Sequence, residues 1–365
     1  MRKIKIIHIL EDYSILSGGI RTVVKNLHEE LLKNGYASKI LTPFAEKDDD
    51  VIMFKINKKA PWCYSSQLKK ILTNLLKENK IDIIHIHGVW MYPQYYASKF
   101  SITNKIPFII SFHGMYEPWL WKTGYLKKKF FSNLLTNSKF SKASFLHAIT
   151  PNEAYDLNKR FPQTPVKEIP NLIHADRKKI HSSIQSSKKN ILYLGRLDPI
   201  KGIDLLIKAF QKIKFKDINL KIVGPKNEYF KELESLVNTL SLNKQVEFLG
   251  LKTGKEKEKI LNEAILFVAP SYSEVIGMVN LEAAMAGIPV ITTIQTGLDK
   301  EWSTNGGMLI NPNELEIKNA IEYFLSLPED IRLKKGEELK DFVIKNYSWE
   351  NRFIDWDELY RTIIG

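Results

Sequence analysis

The amino-acid sequence predicts an α/β protein of two domains, each built around a parallel sheet. The chain has 365 residues, too long for one ordinary core and suited to two domains of common size. Short β-branched runs alternate with segments of helical periodicity, as expected of βαβ units. A polar, Ser-rich stretch at 181–189 interrupts this alternation once and indicates a linker.

The predicted first domain covers residues 1–172. Its apolar runs predict six strands: Ile4–Leu10, Ser38–Leu41, Val51–Ile56, Ile81–His87, Phe108–Phe112 and Phe145–Ile149. After the first of these, apolar side chains recur at helical spacing and predict a helix: Ile20, Val23, Val24, Leu27 and Leu31.

After a linker at 173–189, the predicted second domain covers residues 190–346. Its five strands are Ile191–Leu194, Leu220–Val223, Val246–Leu249, Leu266–Ala269 and Pro289–Thr292, with helices at Ile203–Ile213 and Tyr229–Leu240. A last helix is predicted within 347–365, from Ser348, a plausible cap, to Ile363. Ligands of open parallel sheets bind beyond the carboxyl ends of the strands, so two facing domains would share a cleft there.

The composition indicates a globular protein of a reducing compartment, and we expect it in the cytoplasm. Hydrophobic residues make up 44% and charged residues 26% of the chain. A single cysteine, Cys63, excludes an intramolecular disulfide. The apolar run Ile6–Leu10 is too short for a signal peptide, and no stretch approaches the roughly 20 apolar residues of a bilayer span.

The positive charge is concentrated in the first half of the chain. Residues 1–172 hold 26 Lys and Arg against 14 Asp and Glu, whereas residues 173–365 hold 28 against 27. The excess of +12 in one half and +1 in the other indicates an anionic partner for the first half. Nucleic acid and anionic lipid headgroups are the two candidates.

Two segments of the second domain carry residues suited to a nucleoside diphosphate. In Gly195–Gly202, directly after a strand, Arg196 and Lys201 can hold a diphosphate without a metal, at roughly 1.5–3 kcal/mol for each charge-assisted bond. The alternative is that both are solvated loop charges.

The second segment, Ser273–Pro289, places Glu274 in a loop and Glu282 in a helix that begins near Gly277. The amides of Gly277, Met278 and Val279 form a helix N-terminus able to bind phosphate oxygens. Glu282 can accept hydrogen bonds from ribose hydroxyls, and the alternative is a solvent-facing helix residue.

Together these segments resemble the retaining glycosyltransferases of family 4, which include bacterial polysaccharide- and lipopolysaccharide-assembly enzymes. The matching patterns are G-R-L-x-x-x-K-G at Gly195–Gly202 and E-x7-E at Glu274 and Glu282, followed by A-x-x-G-x-P-V. The chain departs from the usual E-G-F-G at Glu274–Gly277 and from N-G-I-D at Asn171–His174. The resemblance implies a GT-B fold, two Rossmann-like domains facing across a cleft, with the C-terminal helix crossing back to the first.

The resemblance also implies roles for individual residues. Arg196 and Lys201 would grip the donor diphosphate, Glu282 would hold the ribose, and Glu274 would lie beside the transferred sugar. His113, which ends the strand Phe108–Phe112, occupies the place of the family's interdomain histidine near the donor sugar. Taken alone, a histidine there is more often structural. The turn Gly18-Gly19 would lie near the donor phosphates and the acceptor.

We expect neither a metal nor a cofactor, because the nucleotide sugar is itself a substrate. His85 and His87 share one face of a strand, but no cysteine or acidic cluster at fitting spacing completes a metal site. Asp48–Asp50 and Asp355–Asp357 match the D-x-D pattern of metal-dependent transferases, but neither follows a buried strand. We read both as solvated charges.

The segment Trp119–Phe131 mixes aromatic side chains with lysines, which suits the headgroup zone of an anionic membrane. Nucleic-acid binding, or a helix that buries Phe130 and Phe131, would explain it too. With the family resemblance, we favour a lipid-linked glycan acceptor at the inner face of the cytoplasmic membrane, and no nucleic acid.

The function expected from the sequence is retaining transfer of a hexose-type sugar from a UDP- or GDP-sugar to a glycan. A nucleotide-sugar epimerase of the same fold and a non-catalytic partner subunit remain the alternatives. A nicotinamide dehydrogenase is disfavoured because no G-x-G-x-x-G follows the first strand. The base, the sugar and the acceptor are left open.

Overall fold

A computed structural model describes residues 2–57, 61–117, 125–175, 189–215 and 217–365. The chain forms two compact units, one of Met1–Leu172 with Arg352–Gly365 and the other of Ile173–Asn351. Two predicted features fall outside the described residues: most of the Ser-rich linker, and the start of the aromatic and basic segment from Trp119 to Gly124.

The first unit contains a seven-stranded sheet in which every neighbouring pair of strands is parallel. Its strands are β1 (Lys5–Ile9), β2 (Ala37–Thr42), β3 (Val51–Met53), β4 (Ile83–His87), β5 (Phe108–Ser111), β6 (Phe145–Ala148) and β7 (Val166–Glu168). They lie in the order β3-β2-β1-β4-β5-β6-β7. The six predicted strands are confirmed, and the seventh is a short edge strand without the apolar run that the prediction requires.

Helices cover this sheet, and its central strands are therefore buried on both faces. They are α1 (Gly19–Lys33), α2 (Ser66–Lys77), α3 (Tyr92–Asn104), α4 (Tyr125–Phe131), α5 (Asn137–Phe140) and α6 (Pro151–Arg160). The periodic residues Val23, Val24, Leu27 and Leu31 of α1 are buried, as their spacing predicts. Ser65 and Thr150 start α2 and α6 with side-chain caps.

The second unit contains a six-stranded parallel sheet in the order β10-β9-β8-β11-β12-β13. Its strands are β8 (Lys189–Leu194), β9 (Ile218–Val223), β10 (Val246–Gly250), β11 (Ala264–Ala269), β12 (Val290–Thr293) and β13 (Met308–Ile310). The five predicted strands are confirmed, and β13 is a second short edge strand that the sequence does not predict.

The helices of the second unit follow the same alternation. They are α7 (Ile203–Gln211), α8 (Glu228–Thr239), α9 (Gly254–Asn262), α10 (Met278–Met285), α11 (Glu314–Ser326) and α12 (Glu329–Tyr347). Buried residues of α7 and α11 form one core cluster with the strands. Within the described residues, no helix of either unit combines the length and apolar character that a bilayer span requires.

The last helix, α13 (Trp349–Ile364), starts in the second unit and belongs to the first from Arg352 onwards. The Ser348 hydroxyl donates to the Ile344 carbonyl at 2.6 Å, so it bonds back into α12. In α13, the Asp357 carboxylate accepts hydrogen bonds from Tyr36, at 2.6 Å, and from Arg361, at 2.7 Å.

A chain of hydrogen bonds joins α13 to the sheet of the first unit. It runs from the Tyr360 hydroxyl to His85 Nδ1 at 2.7 Å, and from His85 Nε2 to Ser111 Oγ at 2.7 Å. From there it continues to His147 Nδ1 at 2.7 Å, and from His147 Nε2 to the Ile169 carbonyl at 2.8 Å. These side chains are buried, and burial lowers the pKa of His147 to about 4, so both imidazoles are neutral at neutral pH.

The direction of every bond in this chain follows from its last member, because a carbonyl can only accept. His147 must donate from Nε2 and accept at Nδ1, so Ser111 donates to His147 and accepts from His85. His85 Nδ1 is then bare and accepts from Tyr360. We call these five residues the closed chain, because each donor and acceptor in it is used.

Removing the hydroxyl that starts the closed chain is expected to destabilise the first unit. In Tyr360→Phe the aromatic ring stays but His85 Nδ1 becomes a buried acceptor without a donor, at a cost of about 1–3 kcal/mol. Chemical denaturation would measure the free energy of unfolding, with Tyr155→Phe, a side chain that is 69% exposed, as the matched control. Equal effects of the two substitutions would contradict the assignment.

Candidate functional site

The loop after β8 brings Lys201, one of the two predicted cations, to the end of a neighbouring strand. Asp198 accepts a hydrogen bond from the Ile200 amide at 3.0 Å and starts a short turn, Pro199–Lys201. Gly202 ends the turn at φ +65°, and a Cβ there would lie 2.3 Å from the Pro270 carbonyl oxygen. Only glycine permits this approach, which places Lys201 beside the residues that follow β11.

Lys201 and Glu274 are in direct contact, as an ion pair between Lys201 Nζ and Glu274 Oε2. The side chains are only 15% and 22% exposed, so neither is an ordinary solvated charge. Arg196 lies on the same loop as Lys201 and is exposed. The structure therefore brings together two of the predicted site residues and leaves Arg196 open to solvent at the tip of β8.

The loop that carries Glu274 is held by its backbone. The Glu274 amide donates to the Gln295 carbonyl at 3.3 Å, and the Ile276 amide donates to the Thr296 carbonyl at 2.8 Å. Ile276 has φ +37°, an unusual conformation for a β-branched residue that marks local strain. This position departs from the family pattern, and here a buried isoleucine occupies it.

Gly277 precedes α10 and leaves room for the carboxylate. A Cβ at Gly277 would lie 3.2 Å from Cγ and Cδ of Glu274, so a side chain there would press on that residue. The first amides of α10, at Met278 and Val279, belong to the turn whose N–H groups have no partner within the helix. A helix start of this kind can bind an anion, which is the role that the sequence predicts for it.

Glu282 lies further along α10, with 20% of its side chain exposed, which argues against the solvent-facing alternative. Its Oε2 is buried and forms an ion pair with Nζ of Lys257 in α9, at 2.6 Å. A carboxylate has about four acceptor sites, so one ion pair leaves it able to accept a hydrogen bond from a hydroxyl group.

In the first unit, the turn after β1 contains the predicted Gly18 and Gly19. Gly18 has φ +83° and precedes α1, a conformation that favours glycine. Gly19 is the first residue of α1, and a Cβ added there would meet no described atom within 4 Å. The backbone therefore favours glycine at position 18 and leaves space for a side chain at position 19.

His113 follows β5 at φ +53°, in a turn that a buried carboxylate holds in place. Glu153 Oε1 accepts from the Gly114 amide at 2.6 Å, and Oε2 accepts from the Ile149 amide at 2.7 Å. The prediction missed Glu153, although Thr150 and Glu153 form the T-x-x-E pattern of a helix start. Here the carboxylate binds amides of two neighbouring segments, so it positions the backbone behind His113.

A second set of histidines lies beside the closed chain. His87 Nδ1 is 3.1 Å from His113 Nε2, and His87 Nε2 is 2.9 Å from His8 Nδ1. We call His8, His87 and His113 the open chain, because among the described residues His8 Nε2 is buried without a partner. Burial lowers the pKa of His8 and of His113 to about 3, so the open chain is neutral at neutral pH.

Ring nitrogens of His8, His85 and His87 lie within 4.8 Å of one another, a grouping that could hold a metal ion. The sequence reasoning missed His8 as a third member, because only the register of β1 against β4 places it opposite His85. Both nitrogens of His85 and of His87 are hydrogen-bonded within the protein. A metal ion would have to break these bonds, so the residues are arranged as partners of one another.

The buried Glu153 is expected to make stability depend on pH. Burial raises the pKa of Glu153 to about 7 from 4.5, so the folded state binds its proton more tightly than the unfolded state. The stability contributed by this proton is complete below pH 4.5 and is lost as the pH rises through 7, at about 1.4 kcal/mol per pH unit between them. Chemical denaturation from pH 5.5 to 8 would measure this contribution as the difference in the free energy of unfolding between wild type and Glu153→Gln. A difference independent of pH would contradict the assignment.

Two family models match the chain. The model described as Glycosyltransferase Family 4 matches residues 17–177, and the model described as Glycosyl transferases group 1 matches residues 175–342. Their junction falls close to residue 173, where the second unit begins. The two models together run through nearly the whole chain.

Similar proteins cover nearly the full length of the chain. An uncharacterised glycosyltransferase of Methanocaldococcus jannaschii is 26% identical over 92% of both chains. An uncharacterised 41.2 kDa protein of the cps region of Klebsiella pneumoniae is 24% identical over 98% of this chain and 99% of its own.

Solved structures show the same fold. HepE of Anabaena, in complex with UDP and glucose, has a TM-score of 0.77 at 16% identity, over 98% of this chain and 100% of its own. WaaG, a glycosyltransferase involved in lipopolysaccharide biosynthesis, has a TM-score of 0.74 at 18% identity, over 99% of this chain and 100% of its own. The two parallel sheets and the solved structures show the GT-B fold, and the two family models show that the chain belongs to the glycosyltransferases, with a family 4 first segment and a group 1 second segment.

Proposed function

We propose that the protein is a retaining glycosyltransferase that moves a hexose-type sugar from a UDP- or GDP-sugar to a glycan acceptor. The observation that carries the proposal is the contact of Lys201 with Glu274, beside the start of α10, the helix that carries Glu282. A cation, the amides of a helix start and a carboxylate acceptor suit the phosphates and the ribose of a nucleoside diphosphate.

In this proposal the donor diphosphate replaces Glu274 as the partner of Lys201. Arg196, Lys201 and the amides of Gly277, Met278 and Val279 then stabilise the phosphate as it leaves the sugar. These groups supply the positive charge that a divalent ion supplies elsewhere, so we propose a reaction without metal or cofactor. Solved HepE, whose bound ligands are UDP and glucose, supports a uridine donor.

Glu274 and His113 are proposed to orient the sugar by hydrogen bonds to its hydroxyl groups. Retention would follow from attack on the same face of the sugar as the departing phosphate. Gly18 and Gly19 would let backbone amides approach the phosphates and the acceptor. The likeness to WaaG and to a protein of a cps region supports an acceptor in cell-surface polysaccharide assembly.

We also propose that the first unit docks on an anionic membrane that carries a lipid-linked acceptor, at the inner face of the cytoplasmic membrane. Three large side chains at helical spacing from α4 onwards are exposed: Leu126 by 79%, Phe130 by 67% and Leu134 by 60%. The alternative that the helix buries Phe130 is wrong, and only Phe131 packs inward, 5.2 Å from the Trp62 ring. Lys129 is exposed on the same segment and suits lipid phosphates.

Replacing Lys201 is expected to remove phosphate stabilisation and leave the fold intact. In Lys201→Ala, release of UDP from UDP-glucose or of GDP from GDP-mannose should fall by about 10²–10³-fold. The rise in melting temperature that UDP or GDP causes in the wild type should shrink as well. Lys259→Ala, whose side chain is 78% exposed in the same unit, is the control. Near-normal turnover in Lys201→Ala, or strict dependence on added magnesium or manganese, would contradict the mechanism.

Replacing the three exposed apolar side chains by serine is expected to weaken membrane docking. The variant Leu126→Ser, Phe130→Ser, Leu134→Ser should bind vesicles of phosphatidylglycerol and phosphatidylcholine at least about tenfold more weakly than wild type in co-sedimentation. Tyr155→Ser, at an exposed aromatic residue of the same unit, is the control. Equal binding of wild type to purely zwitterionic vesicles would show that lipid charge plays no part.

A further inference from the structure

The two histidine chains of the first unit differ in how their ends are satisfied. The closed chain starts at a hydroxyl and ends at a carbonyl, so the protein alone determines the tautomers of His85 and His147. The open chain has no such end group. One end is the buried His8 Nε2, which lacks a partner among the described residues, and the other is His113, which is partly exposed.

Two arrangements of protons fit the open chain, because each neutral imidazole has one N–H. In one, His113 donates to His87 and His87 donates to His8, which leaves His8 with a buried Nε2–H that donates to nothing. In the other, His8 donates from Nδ1 to His87 and His87 donates from Nδ1 to His113, which leaves His8 Nε2 as a bare acceptor. Buried N–H groups without an acceptor are rarer than buried acceptors without a donor, so the second arrangement is favoured.

We propose that His87 is a positioning residue that donates from Nδ1 to His113 Nε2 and so keeps the proton of His113 on Nδ1. His113 then presents an N–H donor at its free nitrogen, suited to an oxygen of a sugar hydroxyl. The role of that donor rests on the proposed transferase function, whereas the tautomer itself does not. Glu153 holds the backbone of this turn, so backbone and ring are each positioned by a separate buried group.

Two substitutions at His87 separate positioning from packing. The asparagine amide takes the place of Nδ1 and can still donate to His113, whereas the glutamine amide takes the place of Nε2 and can bond only to His8. Each variant therefore keeps one buried hydrogen bond and loses one. His87→Asn should rescue turnover to within about threefold of wild type, and His87→Gln should lower kcat about tenfold or more with the UDP or GDP thermal shift unchanged.

Nitrogen NMR of protein labelled at histidine side chains tests the tautomer without any activity, with His113→Gln used to assign the signals. Wild type and His87→Asn should show a protonated Nδ1 and a bare Nε2 at His113, and His87→Gln should lose this preference. A protonated Nε2 in wild type, or one tautomer in all three proteins, would overturn the proposal. Equal turnover in both variants would also overturn it. A wild type that releases neither UDP nor GDP would refute only the transferase function, because the NMR result stands alone.

Discussion

Parallel pairing of the strands is the constraint on which both candidate sites depend. It puts the carboxyl ends of all strands at one edge of each sheet, so loops that are far apart in the sequence meet there. In the second unit, β8 and β11 are neighbours, and Lys201 therefore reaches Glu274 although 73 residues separate them. In the first unit, β1, β4, β5 and β6 are consecutive across the sheet. His8, His85, His87 and His147 lie on β1, β4 and β6, and His113 follows β5.

The second physical feature of the first unit is a group of buried histidines that carry no charge. Four histidines are buried there at no more than 2% exposure: His8, His85, His87 and His147. Such side chains stay neutral because a low-dielectric interior disfavours the imidazolium ion. The closed chain links the C-terminal helix to the middle of the sheet through Tyr360, and the open chain reaches the turn that carries His113. Two neighbouring chains of neutral side chains therefore do different things: one joins a helix to the sheet, and the other contacts a candidate site residue.

Most of the architecture could be predicted from the sequence, because buried parallel strands are apolar runs and helices have their own period. The two missed strands, β7 and β13, have three residues each and lie at sheet edges, where short length leaves no pattern. The site residues are predicted from loop motifs, and the structure brings two of them, Lys201 and Glu274, into contact. The pairing of Glu282 with Lys257 could not be predicted, because it depends on how α9 packs beside α10. The position of His8 opposite His85 could be known only from the register of the strands. The positive φ of Ile276 could not be predicted, because isoleucine rarely adopts that conformation.

The ion pair of Lys201 and Glu274 has a consequence for selectivity among anions. Lys201 already has a counterion, so an anion that reaches the lysine must first displace the Glu274 carboxylate. A simple ion such as inorganic phosphate can compensate for the lost ion pair only through its own charge. A larger ligand that also binds the amides at the start of α10 and the Glu282 carboxylate would recover the loss through extra hydrogen bonds. A ligand therefore pairs with Lys201 only when the protein also binds other groups of that ligand.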